Sequence, residues 1–287
     1  MPTQANANTG HLKGIDLSQW QGTTTNWQTV ANDGVKFAFI RASTGNNGSE
    51  YHGLFTDPNL VYNIQGCKSV GIKIGFYHFM APANKMFDLK EARDEARYFV
   101  DAIKTGMESA GYTGYGDLPP VVDFEYPDPA NGVGYAPAMI KYVEEFIRVV
   151  EFLTKRMVMV YAGIYFINGH SIPTSTLLNS RPLWQPEYYQ YNAYLTTQEE
   201  LDTPRAVNGW SDWTVWQHSQ TTMQAGITEN YTDQNWGQPD LLTKWVDVPA
   251  PDSALESMNR PSARTVASSR TASSGRTATQ ARTIEAT

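Results

Sequence analysis

Four short runs dense in β-branched and aromatic residues, at 36–41 (KFAFIR), 72–80 (IKIGFYHFM), 120–126 (PVVDFEY) and 157–162 (MVMVYA), recur along the chain with helix-length stretches between them. Each is bounded by Gly, Pro or Lys, as strands are. A fifth, shorter candidate stands at 14–17. The intervening stretches at 58–69, 87–104 and 136–154 read as helices. In the last of them Met139, Tyr142, Val143, Phe146, Ile147, Val150 and Leu153 recur at steps of three and four, which predicts one buried helical face. Strand–helix–strand alternation implies a parallel sheet, and over roughly 230 residues it favours closure into a β/α barrel. Past residue 167 the helical signal fades. Runs at 182–189 and 212–217 (DWTVWQ) read as further strands joined by irregular loops, so the second half of the barrel is expected to depart from regular β/α units.

The end of the chain follows another rule. From Arg264 onward it reads RTVASS, RTASSG, RTATQA, RTIEAT, four hexads opening on Arg-Thr, with no aromatic residue after Trp245. A period of six matches neither a helix face nor strand alternation, and a hexad β-helix would need an aliphatic residue at a fixed position. Such a segment buries too little apolar surface to offset its ordering entropy, so a disordered tail is expected. The expected organisation is an extension over 1–13, a catalytic domain over 14–246 and the hexad tail over 247–287.

The net charge of −7 divides unevenly. Over residues 258–287 five arginines against Glu285 give +4, and the remaining 17 basic and 28 acidic residues give −11. An acidic body argues against a nucleic-acid partner. The lone cysteine, Cys67, excludes an intramolecular disulfide framework and a multi-Cys zinc site, and is read as a small buried residue. His11, His52, His170 and His218 are scattered, so no metal centre is expected, and no cofactor loop is present. No run approaches the ~18 apolar residues that span a bilayer, so membrane insertion is not expected. Residues 1–14 are polar and lack the apolar core of a secretory signal, which predicts that the protein does not use that export route by itself.

The segment most informative about chemistry is 118–126, LPPVVDFEY. Asp123 and Glu125, at i and i+2, share one strand face with roughly 7 Å between them along the backbone. Burying two unpaired acids is costly, but at the C-terminal end of a barrel strand, where active sites of such barrels sit, they make sense as a catalytic acid and its helper. Alone, the pair suits a strand end with a capping Asp and a solvated Glu better than a catalytic site. Its company changes that: Asp16 ends the first strand and Asp233 stands near the other end of the fold.

With these in view the chain resembles the glycoside hydrolase family 25 muramidases, the Chalaropsis-type lysozymes that include many phage endolysins. The matching motifs are Gly14-Ile15-Asp16-Leu17-Ser18 with Trp20-Gln21-Gly22; Phe37-Ala38-Phe39-Ile40-Arg41-Ala42-Ser43; Gly75-Phe76-Tyr77-His78-Phe79; Val122-Asp123-Phe124-Glu125; Val160-Tyr161; Leu183-Trp184 with Tyr188; Val215-Trp216-Gln217; and Asp233-x-Asn235. They occur in family order over 14–237. The resemblance implies a flattened, irregular TIM-like β/α barrel that cleaves the β-1,4 bond between N-acetylmuramic acid and N-acetylglucosamine in bacterial peptidoglycan with retention. It implies Glu125 as general acid, its pKa raised by Asp123 as a close like charge, with Asp16 and Asp233 as the other active-site acids. For the attack on the anomeric carbon, the sugar's own 2-acetamido group is favoured over an Asp nucleophile.

Sugar rings present apolar faces that stack on aromatics. Tyr77, Tyr161, Trp184 and Trp216 are the groove candidates, with Gln217 beside them as a substrate-binding residue; for Trp216, core and groove stay equally open. His78 is read as a hydrogen-bonded structural histidine rather than a base. The chain departs from the family at Leu183-Trp-Gln-Pro-Glu-Tyr188, where Pro186 and Glu187 alter the groove rim, and at 107–117, a longer segment read as a lid or partner contact. Two rival readings are a non-catalytic wall-binding or virion structural protein on the same fold, disfavoured because all four acids are present, and a chitinase-like barrel, disfavoured because its longer acidic motif is missing. The expected setting is synthesis in a host cytoplasm followed by holin-type release onto the wall, or carriage in a virion, with the tail as contact to a wall polymer or virion partner.

Overall fold

In the computed structural model the described residues are 10–45, 53–82, 87–125, 136–188 and 203–252. Strands β1 (Leu12–Leu17), β2 (Phe37–Thr44), β4 (Lys73–Phe79), β5 (Val121–Asp123), β6 (Met159–Tyr161), β7 (Leu183–Pro186), β8 (Val215–Thr222) and β9 (Thr232–Gly237) pair in that order. Pairing of β1 with both β2 and β9 closes the ring, and the short β3 (Phe55–Thr56) hangs on the edge of β2. All neighbours around the ring are parallel except β9, which runs antiparallel to β8 and β1.

The short α1 (Trp27–Asn32) follows β1. Helices α2 (Leu60–Ser69), α3 (Leu89–Ser109) and α4 (Ala136–Thr154) follow β3, β4 and β5, in the expected alternation. The Asp88 side chain caps α3 by accepting from the Lys90 amide at 2.9 Å. Both ends of α4 match the periodic stretch, and its apolar stripe is buried from Met139 through Val150. Leu153 is an exception at 39% exposed. An apolar heptad pattern drifts by about 20° per heptad around a straight helix, so two heptads carry its last member off the buried face. Beyond β6 only the short turns α5 (Ile164–Ile167), α6 (Thr176–Asn179) and α7 (Leu241–Lys244) are helical among the described residues.

Two apolar layers result. Outward residues of the strands pack beneath the helices, including Ile15, Ala38, Ile40, Ile74, Val122 and Val160. Inward residues fill the barrel, chiefly Phe37, Phe39, Val121, Met159, Trp184 and Val215. Glycines beside β2 make this filling fit. A Cβ on Gly14 would lie 2.2 Å from the Phe37 ring, and one on Gly75 would lie 2.4 Å from the Phe39 ring, so both rings occupy space that any other residue would claim.

Several sequence expectations change here. The strand expected at 120–126 is paired only over Val121–Asp123, which places Glu125 beyond the ladder. β9 (TDQNWG) was not expected as a strand, because Asp, Gln, Asn and Gly are poor strand formers and it gains its order from two antiparallel partners. The segment before β5 is no lid. Asp117 accepts from the Ile74 amide and pairs with Lys68 and Lys73, while Arg156 donates to the carbonyls of Tyr115, Gly116 and Asp117. That ties it to the strands' N-terminal ends. Packed chain also continues past residue 246: the Met157 amide bonds Val248 O at 2.9 Å and the Ala250 amide bonds Lys155 O at 3.0 Å. Residues 1–9 of the expected extension over 1–13, and residues 253–287 of the expected tail over 247–287, lie outside the described residues.

Candidate active site

Residues two apart on a strand share a face, and that parity brings the scattered acids together. Asp16 on β1, Asp123 on β5, and Asp233 and Asn235 on β9 all occupy inward positions at one end of the barrel, with Tyr77, Tyr161 and Gln217 from β4, β6 and β8. Glu125 stands two residues past Asp123 at the same end.

Asp16 is the best-held of the acids. It lies opposite Asp233 in the β1–β9 ladder, and its Oδ2 accepts from Gln217 Nε2 and Asn235 Nδ2, each at 2.9 Å. Each donor is fixed in turn. Trp184 Nε1 donates to Asn235 Oδ1 at 2.8 Å. The hydroxyls of Tyr161 and Tyr188 donate to Gln217 Oε1 at 2.9 and 2.5 Å, and Gln217 Nε2 also reaches Asp233 Oδ2 at 3.3 Å. A chain of neutral donors therefore converges on one carboxylate.

Asp123 is held differently. It is 7% exposed, and its Oδ1 is sealed from solvent without a hydrogen-bond partner among the described residues. A buried carboxylate oxygen left unsatisfied is costly, and such groups are retained where they serve the chemistry of a site. Arg41, paired through Nε with Asp57 at 2.8 Å, is the cation that opposes the rise in Asp123's pKa.

All four acids are pushed above the usual carboxylate range. For Asp123, burial leads, followed by the charges of Glu125 and Asp16. For Asp16, burial outweighs the hydrogen bonds from Asn235, Gln217 and Asp233. Asp233 rises to about 9 through burial and the Asp16 charge. Glu125 rises to about 7, first through desolvation and then through Asp16. Glu125 is open to solvent from the cleft side, yet protein surrounds the rest of it closely enough to desolvate the carboxyl. Two like charges bear on the Glu125 carboxyl: Asp16 across the barrel, and Asp123, the neighbour the sequence pointed to, whose repulsion with Glu125 also lifts Asp123. Near neutrality the cluster holds fewer than four charges, and Glu125 is the member poised to give up a proton there.

The aromatic candidates divide. Tyr77 is half-buried at the cleft, and Tyr161 is buried with its hydroxyl engaged. Trp184 lies one layer below, its ring stacked 4.5 Å from Phe39 and edge-on to Tyr161 at 4.9 Å. Trp216 faces out of the barrel, fully buried, and donates to Glu187 O at 3.0 Å. Neither indole offers a face to a sugar: Trp184 orients Asn235, and Trp216 belongs to the core. Gln217, also buried, holds Asp16 and Asp233 rather than facing the groove. The aromatics that are exposed at this end stand in turns: Trp20 just after β1, Tyr165 in α5 just after β6, and Tyr231 just before β9. Turn residues carry no strand periodicity, so parity could not nominate them.

Sequence reasoning also passed over Arg41, Tyr188 and Asn235 as site residues although all three lie in the matched motifs. Arg41 was legible as an inward partner of Tyr77 in the β2–β4 register. His78 faces away from the cleft. It is fully buried against Phe146, with Ser43 Oγ 2.8 Å from Nδ1 and Glu95 Oε2 3.2 Å from Nε2, a structural histidine. A cavity of about 540 Å³ among Arg181, Trp210, Trp213 and Trp245 lies at the opposite end of the barrel and contains none of the clustered acids.

Comparison with known proteins agrees with this geometry. Residues 15–227 match the family model described as Glycosyl hydrolases family 25. The chain is 26% identical over 225 residues to Lysozyme M1 of Streptomyces globisporus, covering 77% of this chain and 66% of that protein, so it spans just under two thirds of that relative's length. The spore cortex lytic enzyme SleM of Clostridium perfringens superposes with a TM-score of 0.67 at 28% identity, over 80% of this chain and 68% of that one. A bacterial lysozyme from Streptomyces coelicolor shares the fold with a TM-score of 0.60 at 23% identity, over 80% and 95% of the two chains. With most of the barrel inside the matched region, from Asp16 on β1 through β8, the chain belongs to glycosyl hydrolases family 25.

Proposed function

We propose that the protein is an N-acetylmuramidase that hydrolyses the β-1,4 bond between N-acetylmuramic acid and N-acetylglucosamine in bacterial peptidoglycan, with retention of configuration. The observation that carries this reading is the pairing of a carboxyl poised near pH 7, Glu125, with a buried, unpartnered carboxyl oxygen on Asp123 two residues away. Membership of the family and the lysozyme relatives support the choice of substrate.

In this mechanism Glu125 donates its proton to the glycosidic oxygen as the bond to C1 breaks, and the N-acetylglucosamine hydroxyl leaves. The 2-acetamido carbonyl oxygen of the muramic acid attacks C1 and forms an oxazolinium. The Asp123 carboxyl accepts the hydrogen bond of the acetamido N–H, which acquires positive charge. A carboxyl whose proton affinity is already raised is suited to share that proton. Glu125, now ionised, takes a proton from the water that opens the ring at C1, which completes retention and regenerates the acid. Asp16, fixed by Gln217 and Asn235, keeps the field that holds Glu125's pKa up, and Asp233 shares a hydrogen bond with it.

Glu125→Gln should abolish wall lysis with the fold intact by circular dichroism; surviving lysis overturns the assignment. Trapping a covalent sugar on Asp16, Asp123 or Asp233 would replace the acetamido route with an Asp nucleophile. The biological setting proposed is a phage endolysin or a virion-associated lysin, in keeping with the shared fold of a Listeria phage endolysin. Mass spectrometry of purified particles against lysates distinguishes the two.

A further inference from the structure

The loop leaving β7 buries a carboxylate that the chemistry above does not use. The Glu187 side chain is fully buried, and its oxygens accept from the Arg205 amide at 2.7 Å and from Arg205 Nε. Arg205 itself stays 45% exposed. Its Nη2 donates to the Tyr165 hydroxyl at 3.1 Å, and its guanidinium carbon lies 5.4 Å from the centroid of that ring, which is 59% exposed. Among the described residues Nη1 donates to nothing. A buried acid thus fixes a guanidinium at the surface with an aromatic ring against it and one N–H edge toward solvent. A guanidinium held by two anchors has already lost the rotamer freedom that binding would otherwise cost, and its fork matches a carboxylate.

The placement ties this shelf to the cleft. Tyr165 is four residues beyond Tyr161, and Glu187 directly precedes Tyr188; those two tyrosines meet at Gln217, which holds Asp16. Charge sharpens the point. The body of the chain carries −11 and the cleft gathers four acids, so an anionic substituent on the substrate needs a fixed cation to offset the repulsion.

We infer that Arg205, clamped by Glu187 and backed by Tyr165, is a rim site for a carboxylate borne on the 3-O-substituent of muramic acid, and that it makes the enzyme favour anionic wall glycan over neutral amino-sugar polymers. This rests on the muramidase reading above. The carboxylate has two sources: the lactyl group itself where no peptide is attached, and the peptide's own carboxylates where one is.

The experiment compares soluble peptidoglycan chains, the same chains with carboxylates converted to amides, and chains stripped of peptide by an amidase so that the lactyl carboxylate is free. The wild-type protein should show a KM roughly tenfold higher on amidated chains with kcat little changed, the loss of one charged hydrogen bond. Arg205→Gln should show the higher KM on every substrate and be indifferent to amidation, with Arg205→Lys recovering part of the discrimination. Discrimination kept on stripped chains assigns the lactyl group; discrimination lost there assigns the peptide. Equal wild-type KM on amidated and unmodified forms of both the intact and the stripped chains overturns the proposal, as does an Arg205→Gln variant that discriminates as wild type does. Should Arg205→Gln fail to fold because Glu187 is left unpaired, Glu187→Gln combined with it and the wild-type substrate comparison still decide. Absence of lysis by the wild type on all substrates would instead sink the muramidase reading.

Discussion

The two halves of the barrel hold their acids by opposite means. On the arc from β2 to β6, helices back the strands, and at the end of β5 the Oδ1 of Asp123 has no hydrogen-bond partner among the described residues. On the arc from β7 through β9 to β1, the described residues form only short helical turns, and Asp16 and Asp233 sit in a mesh of amide and hydroxyl groups from Gln217, Asn235 and Tyr188, joined by Tyr161 from β6. A regular scaffold can support an unsatisfied group because apolar packing on both faces of the sheet stabilises it. The irregular arc has only short helical turns among its described residues and is stabilised by directed polar contacts, which also fix where its carboxylates point. Reacting groups stand on the first arc and orienting groups on the second.

The comparison can be broken most directly at Asp123. Asp123→Asn should lower turnover by about 10²–10⁴-fold and yet raise Tm at pH 8. The sign follows from linkage. Because the folded-state pKa of Asp123 lies above its unfolded value, its stabilising contribution is full below the unfolded pKa and is lost as pH rises through the folded one. Each ~1 kcal/mol relieved should appear as about 2–4 °C in a melt. A lower Tm would mean that Asp123 is a structural acid.

Next in size is Asn235→Ala on the orienting arc, which removes a donor to Asp16 and strands Trp184 Nε1. A loss of about 1–3 kcal/mol in denaturant unfolding, with kcat down by roughly tenfold, is expected; unchanged kcat would show that Asp16 needs no such support. Coupling between the arcs is read from the pH–rate profile of kcat/KM. Glu125 must be protonated to act, so activity should fall as pH rises through about 7. Asp16→Asn should move that limb down by roughly 0.5–1 unit, since the Asp16 charge raises Glu125. An unmoved limb would leave desolvation and the neighbouring Asp123 as its causes. The smallest effect is expected for Tyr188→Phe, which leaves Gln217 with the Tyr161 donor; about 0.5–1.5 kcal/mol of stability and a severalfold drop in kcat should suffice to detect it.

The first arc was the legible one. Runs such as KFAFIR and the stripe on α4 carry the two periods that local sequence can express, and their elements fall within a few residues of expectation. β9 was missed as a strand because its residues are chosen for what they hold, Asp233 and Asn235 for the site and Gly237 beside the Phe37 ring, rather than for strand propensity. Trp184 and Trp216 were nominated for the groove from their place near strand ends, but an aromatic residue has the same composition signal whether it faces a sugar or fills a barrel. Which it does depends on strand parity and on the layer it occupies, and a shift of one residue or one layer reverses the outcome.

By itself the sequence determined the barrel, the motif order that marks the family, and the four acids, because hydrophobic periodicity and short chemical motifs are local properties. Only the tertiary structure decided that Asp16 bears on Glu125 from across the barrel, that Gln217 and Trp184 serve as supports, and that Arg205 is anchored at the rim by Glu187. Those outcomes depend on distances between residues up to some two hundred positions apart, and on desolvation, which exists only once the chain has closed around the site.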